Sequence, residues 1–159
     1  MATNALRIPT SNSVFQPPLR VVEFPTTGRT RAVVQGAAGD WVDSVTGRLN
    51  ELCALPVGWD GYQGLPVTWD NANFAFQMLS AICRPTTPPP QIVPGPSGDL
   101  QLEWHLPGQS IELNVLGPLR VRAWRSAAGI EEEKDLTDDF IDVVRWIAEP
   151  AVAAVAAAH

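Results

Sequence analysis

Three runs of strict alternation fill residues 100–124, read as "LQLEWHL", "SIELNV" and "LRVRAW" with Pro-Gly and Gly-Pro breaks between them. No other stretch restricts the fold as strongly. Successive side chains of a strand point to opposite faces, so a period of two declares which face is buried. Leu100, Leu102 and Trp104 alternate with Gln101, Glu103 and His105. Ile111, Leu113 and Val115 alternate with Glu112 and Asn114, and Leu119, Val121 and Ala123 alternate with Arg120, Arg122 and Trp124. The pattern predicts a three-stranded antiparallel meander with one apolar and one polar face. A four-residue loop at 107–110 would set Leu106 opposite Ile111 and Trp104 opposite Leu113. A three-residue loop at 116–118 would set Val115 opposite Leu119 and Glu112 opposite Arg122. A slip by one residue would mix the faces. Glu103, Glu112, Arg120 and Arg122 then become cross-strand partners on the polar face.

A sheet with one apolar face needs a cover, and the flanking sequence supplies helices. Val42, Val45, Leu49 and Leu52 recur at helical spacing, which predicts a helix over 41–54 with Asp40 as its N-cap. Pro56 and Gly58 stop it. Thr68 caps a second helix with Asp70 in its first turn and a stripe of Ala72, Ala75, Phe76, Leu79 and Ile82. The run "GIEEEKDLTDDFIDVVRWIAEP" sets up a third helix, with Thr137 as N-cap and Phe140, Val143, Val144 and Ile147 as its stripe. Between the second helix and the sheet lie six prolines, at 85, 88, 89, 90, 94 and 96. They predict a stiff extended connector. Near the N-terminus, "LRVVEF" and "RTRAVVQ" flank the turn signal "PTTG" and suggest a hairpin. The fold class is α+β: a two-helix unit and a C-terminal helix packed on an antiparallel sheet of three or more strands. Residues 1–15 are expected to be a mobile N-terminus, 16–150 a single domain and 151–159 an alanine-rich tail.

Composition narrows the functions open to such a domain. The 159 residues carry a net charge of −6, against a general nucleic-acid binder, which needs a basic footprint. The charge is uneven: residues 126–159 hold eight acids against Lys134 and Arg145. Cys53 and Cys83 fall near the ends of two helices and read as small buried apolar residues, not a disulfide. With His105 and His159 the only histidines, no metal-ligand cluster is expected. Neither a GxGxxG nor a GxxxxGK run occurs, so no cofactor is implied. No signal peptide or membrane-length apolar run is visible, and the expected place is the cytoplasm.

"GWDGYQG" at 58–64 concentrates glycines, an acid and two aromatics. Asp60 beside Trp59 could be a general acid with a raised pKa. Equally, an Asp-Gly pair is a turn signal: the carboxylate bonds its own backbone two residues on, and Gly61 supplies a positive φ. The second reading makes Trp59, Asp60, Gly61 and Tyr62 a structural corner in which both aromatics cover the helix pair.

Taken together, "LPVGWDGYQGLPV", the helix after it, "PPPQIVPGPSGDLQLEW" and "SIELNV" resemble the pattern of a family of small uncharacterised bacterial proteins, "LPxGWDGYxxxP … LQLEW". The matching positions are Leu55, Pro56, Gly58 to Tyr62, Pro66, Gly98 to Trp104 and Glu112. The resemblance spans roughly 55–125 and carries no established activity. Roles as an antitoxin, an immunity protein or a defence-system accessory component of bacterial or phage origin would suit small acidic proteins of this kind.

Three functional readings follow. The first is a non-catalytic protein-binding role through Arg120, Arg122 and Trp124 with Glu103 and Glu112, since Arg and Trp are enriched at interface hot spots. The partner is another protein, with a second copy of the chain left open. The second is a small enzyme using Asp60, Glu103 or His105. It lacks an evident nucleophile, because no serine or cysteine is placed near that pair. The third is single-stranded nucleic-acid binding by the Arg120/Arg122/Trp124 face, through phosphate contact and stacking.

Overall fold

The alternating runs form the centre of a five-stranded antiparallel sheet. In the computed structural model, which describes residues 39–149 and the backbone of 20–23 and 31–34, the elements in chain order are β1 (Arg20–Glu23), β2 (Arg31–Val34), α1 (Trp41–Cys53), α2 (Trp69–Ile82), β3 (Gln91–Pro94), β4 (Leu100–Leu106), β5 (Gln109–Gly117), β6 (Arg120–Ala127), β7 (Ile130–Leu136) and α3 (Ile141–Ala148). The large sheet runs β3-β4-β5-β6-β7, each strand beside its sequence neighbour, and β1 and β2 pair separately as the expected antiparallel strands. The N-terminal segment 1–15, the turn at 25–28 and the tail 151–159 lie outside the described residues.

Apolar residues of the inner face (Leu100, Leu102, Trp104, Ile111, Leu113, Val115, Val121 and Ala123) join the buried stripes of α1 and α2 in one core with Val143 and Trp146 of α3, whereas Phe140, Val144 and Ile147 of the stripe expected there are only partly buried against it. Each residue predicted for the α1 and α2 stripes is buried, together with Trp41, which opens α1 and was not anticipated. The arrangement is the α+β class that the sequence implied.

The register differs from the expected one by whole pairs, never by a face. β4 and β5 join through only Pro107-Gly108, so Leu106 pairs with Gln109, Trp104 with Ile111 and Leu102 with Leu113. Gly108 takes φ 77, a conformation that lets two residues close the hairpin. At the next turn Val115 pairs with Val121 and Gly117 with Arg120, with a bulge between Val115 and Gly117. Glu112 therefore faces Trp124 and not Arg122, and Leu119 sits on the turn and not on the apolar face. Moving a hairpin by two residues preserves the period of two, so alternation alone does not distinguish these registers.

Other expectations shift for local reasons. Residues 91–94 of the proline-rich connector form the edge strand β3, with Pro94 at its end, where a missing N–H is tolerated. Residues 130–136 are the other edge strand, β7, and not the approach to a helix. Ala128 and Gly129 take φ 52 and 77, the two positive values that a tight hairpin with this twist requires. α3 consequently starts at Ile141. Thr137 does not cap it; instead the Asp139 carboxylate accepts from the Ile141 N–H at 3.0 Å. Asp40 makes no cap hydrogen bond, because its backbone is already helical (φ −66, ψ −22) and its side chain does not swing over the first turn. Thr68 is extended (φ −72, ψ 149) and accepts from the Asn71 N–H at 3.2 Å, as predicted.

α3 is short and is held by side chains at both its flank and its end. Gln109, buried at the start of β5, donates to the Trp146 carbonyl at 2.8 Å and the Glu149 carbonyl at 3.2 Å, satisfying two carbonyls at the helix end. The Arg125 guanidinium bonds Gln109 Oε1 at 3.0 Å and Glu149 Oε2 at 2.7 Å, and lies 5.8 Å from the Trp146 ring centroid. Lys134 reaches Asp142 at 2.6 Å.

Candidate functional surface

The helices use one face of the sheet and leave the other open. Pairing puts Gln91, Glu103, Glu112, Trp124 and Glu133 in one row across all five strands. Gln101, Asn114, Arg122 and Asp135 form a second row, and His105, Ser110, Ser126 and Glu131 a third. Trp124 thus sits near the middle of a polar sheet face, half-buried between Glu112 and Glu133.

The acids on this face are only partly satisfied from within. Glu103 and Glu112 stand directly opposite each other, a like-charge pair that disfavours the sheet. The Gln101 amide bridges them, donating to Glu103 Oε1 at 2.9 Å and Glu112 Oε2 at 3.1 Å. Arg122 lies 3.3 Å from Glu133 and 3.5 Å from Asp135. Glu112 was the expected partner of Arg122, but the pairing places Asn114 opposite that arginine and β7 brings its counter-ions. Because β7 carries Glu131, Glu133 and Asp135 to this side, the Arg120/Arg122/Trp124 stripe is no longer an arginine edge. It becomes a tryptophan in acidic surroundings.

His105 Nε2 lies 3.3 Å from Glu103 Oε2, and its Nδ1 lies 3.4 Å from Ser110 Oγ. The serine beside this pair was missed in the sequence, because the longer loop expected at 107–110 put Ser110 in the turn. The two-residue hairpin brings it opposite His105. Both contacts are long and lie on an open face, a geometry of surface polar contacts.

The "GWDGYQG" corner stands apart from that face, so the structure does not bring Asp60 together with Glu103 and His105. Asp60 Oδ1 accepts from the backbone N–H of Tyr62 and of Gly64, both at 2.9 Å. These bonds stabilise the charged form and hold the carboxyl below its ordinary range, opposite to the raised value that a general acid would need. Gly58 and Gly61 take φ 82 and 84. Gly64 packs so tightly that a Cβ there would meet the Asp60 carboxylate carbon at 2.6 Å. Trp59 is half-buried and donates from Nε1 to the Leu65 carbonyl at 2.9 Å. Tyr62 does not cover the helices: it is 87% exposed. The backbone bonds to Asp60 close the loop without the Tyr62 side chain, which is left to solvent.

The corner is tied to the approach to β4. Leu65 N–H donates to the Pro96 carbonyl at 2.9 Å, and Thr68 N–H to the Gly98 carbonyl at 3.0 Å. The buried Asn71 amide donates to that same Gly98 carbonyl at 2.8 Å. The segments at 65–71 and 96–98 are thus neighbours in space.

Cys53 and Cys83 are both free, and burial pushes their thiols up to about 11 and about 12. Among the described residues no group of three or more His, Cys, Asp or Glu side chains is placed to hold a metal ion. No helix among them is long and apolar enough to cross a membrane. No family model, curated protein or solved structure matches the chain.

Proposed function

We propose that this is a non-catalytic interaction protein whose open sheet face docks a basic protein surface around Trp124. The observation that carries the reading is the row Glu103–Glu112–Trp124–Glu133, with Glu131 and Asp135 beside it. A half-buried tryptophan offers a large contact area with little ordering cost. The surrounding carboxylates have lone pairs left over, which partner Lys or Arg donors can fill. Charge of this sign steers a basic partner and repels phosphate, which favours a protein over a nucleic-acid strand on the Arg120/Arg122/Trp124 stripe. Masking a basic effector with an acidic face suits an antitoxin, an immunity protein or a defence accessory component, and the resemblance of residues 55–125 to a bacterial family supports that context.

The test is affinity capture from the source cells, followed by a binding isotherm with the recovered partner. Glu112→Lys with Glu133→Lys, and separately Trp124→Ala, should each abolish retention of a basic protein. Asp70→Lys with Asp138→Lys makes the same change in net charge away from the face and should leave binding intact. Equal loss in both charge-reversed pairs, or a partner insensitive to Trp124→Ala, rejects the face.

A further inference from the structure

A second site lies at the end of the sheet, where the β5–β6 hairpin breaks two rules of its own construction. The sheet contains two hairpins with two-residue loops that begin with proline. In the first, Pro107-Gly108, glycine occupies the position with positive φ (77). In the second, Pro118-Leu119, a leucine holds φ 59 at the equivalent position. A side chain there is crowded against its own backbone in a way that glycine avoids. Leu119 does not offset this by packing, since it is 53% exposed. The same hairpin carries a bulge between Val115 and Gly117, which re-aims Leu116 and leaves it 43% exposed. Two departures from regular geometry therefore present two leucines to solvent at one place.

Between them opens a pocket of about 310 Å³, lined by Leu116, Leu119, Arg120, Arg122, Asp135 and Leu136 among others. Its charged groups are not equivalent. Arg122 is occupied by Glu133 and Asp135 at 3.3 and 3.5 Å. Arg120 is paired with none of the described carboxylates. Its side chain passes beside Gly117, where a Cβ would lie 3.8 Å from Arg120 Cδ. The result is a guanidinium beside two exposed leucines, at the mouth of a cavity with room for one branched side chain. Backbone strain kept at an exposed position is a mark of function, and here strain, bulge and cavity coincide.

We infer that this pocket binds a carboxylate carried on a branched apolar body, the chemistry of a C-terminal leucine or of a free branched acid. The carboxylate pairs with Arg120 through its planar fork of donors, and the apolar body lies against Leu116 and Leu119. This site adjoins the Trp124 face, sharing Arg122 and Asp135 with its edge, and takes a ligand of opposite charge.

The probe is N-acetyl-leucine, titrated into the full-length 15N-labelled protein, with N-acetyl-leucinamide as its uncharged counterpart. The acid should shift the backbone amides of Leu116, Leu119, Arg120 and Thr137, and the amide form should bind about tenfold more weakly or worse. Arg120→Ala, an exposed change, should weaken the acid by a similar factor. Leu119→Gly separates the role from folding: it relieves the positive φ, so the variant should melt no lower than the wild type while losing affinity. N-acetyl-Gly-Gly-Leu identifies the source: tighter binding than N-acetyl-leucine assigns a polypeptide terminus, and equal binding assigns a free acid. The inference fails if the acid leaves these amides unshifted at millimolar concentration, if acid and amide bind alike, or if Arg120→Ala changes nothing.

Discussion

Trp41 and Trp104 form a matched pair for measuring what one buried hydrogen bond contributes to this fold. Both side chains are essentially sealed, at 1% and 2% exposure. The Trp104 indole N–H donates to the Pro88 carbonyl at 2.9 Å, pinning the proline connector to the sheet. The Trp41 indole N–H is buried with no partner among the described residues. Trp→Phe removes the same atoms at both places, so the packing loss is similar, on the order of 1 kcal/mol. At Trp104 the change also breaks a hydrogen bond, adding about 1 kcal/mol. At Trp41 it removes a donor whose desolvation was uncompensated, which offsets about 1 kcal/mol of the packing loss. Trp104→Phe should therefore cost roughly 2 kcal/mol and Trp41→Phe close to zero. Urea unfolding followed by far-ultraviolet circular dichroism reads the difference. With an m-value of about 2 kcal/mol per molar, the midpoint should fall by about 1 M for Trp104→Phe and hardly at all for Trp41→Phe. Equal losses, or a larger loss at Trp41, would refute the reasoning.

Further outcomes can be checked alongside. Gly47 lies in α1 with open space where its Cβ would be, so Gly47→Ala should stabilise the protein by about 0.5–1 kcal/mol in the same denaturation assay. The carboxyls of Asp60 and Asp142 are held low, the first by the Tyr62 and Gly64 N–H groups and the second by its Lys134 hydrogen bond. A lowered folded-state value means stability present above the unfolded value near 4 and lost as the pH falls through the folded one. Melting temperature should thus drop below about pH 4, less steeply in Asp60→Asn and Asp142→Asn, and a parallel decline in all three proteins contradicts this. Cys53 and Cys83, with thiols raised to about 11 and about 12, should resist a thiol-specific reagent at pH 8 until denaturant is added.

The parts of this fold that bury one face clearly were readable from the sequence. Leu100, Leu102 and Trp104, and the stripe from Ala72 to Ile82, each announce their periodicity because every turn or pleat repeats the same demand. The edge strands announce nothing. β7 reads Ile-Glu-Glu-Glu-Lys-Asp-Leu because most of its side chains on both faces reach solvent, and the inward Lys134 still meets Asp142. Its place is set by Ala128-Gly129 and by charges on β6, which no periodicity records. β3 was hidden by prolines that suit an edge as well as a spacer. The open acidic face was half legible: Glu103, Glu112 and Trp124 were visible as one polar set, but β7 supplies the acids that decide its sign. The β5–β6 pocket was not legible, since Leu119 reads as one more residue of an apolar alternation until its φ is known.

The Gly98 carbonyl, which takes both the Thr68 N–H and the Asn71 amide, fixes the start of α2 to the start of β4. Length changes are therefore not interchangeable along this chain. An insertion in the 84–87 turn, ahead of the Pro88 carbonyl that holds the Trp104 indole, leaves both anchor points in place and has only to form a longer arc. One residue added between Leu65 and Thr68 pulls the cap off its carbonyl and rotates the whole helical cover relative to the sheet. Related chains that share this architecture should vary freely in the first span and keep a constant count in the second, a length rule that can be checked before any of their structures is known.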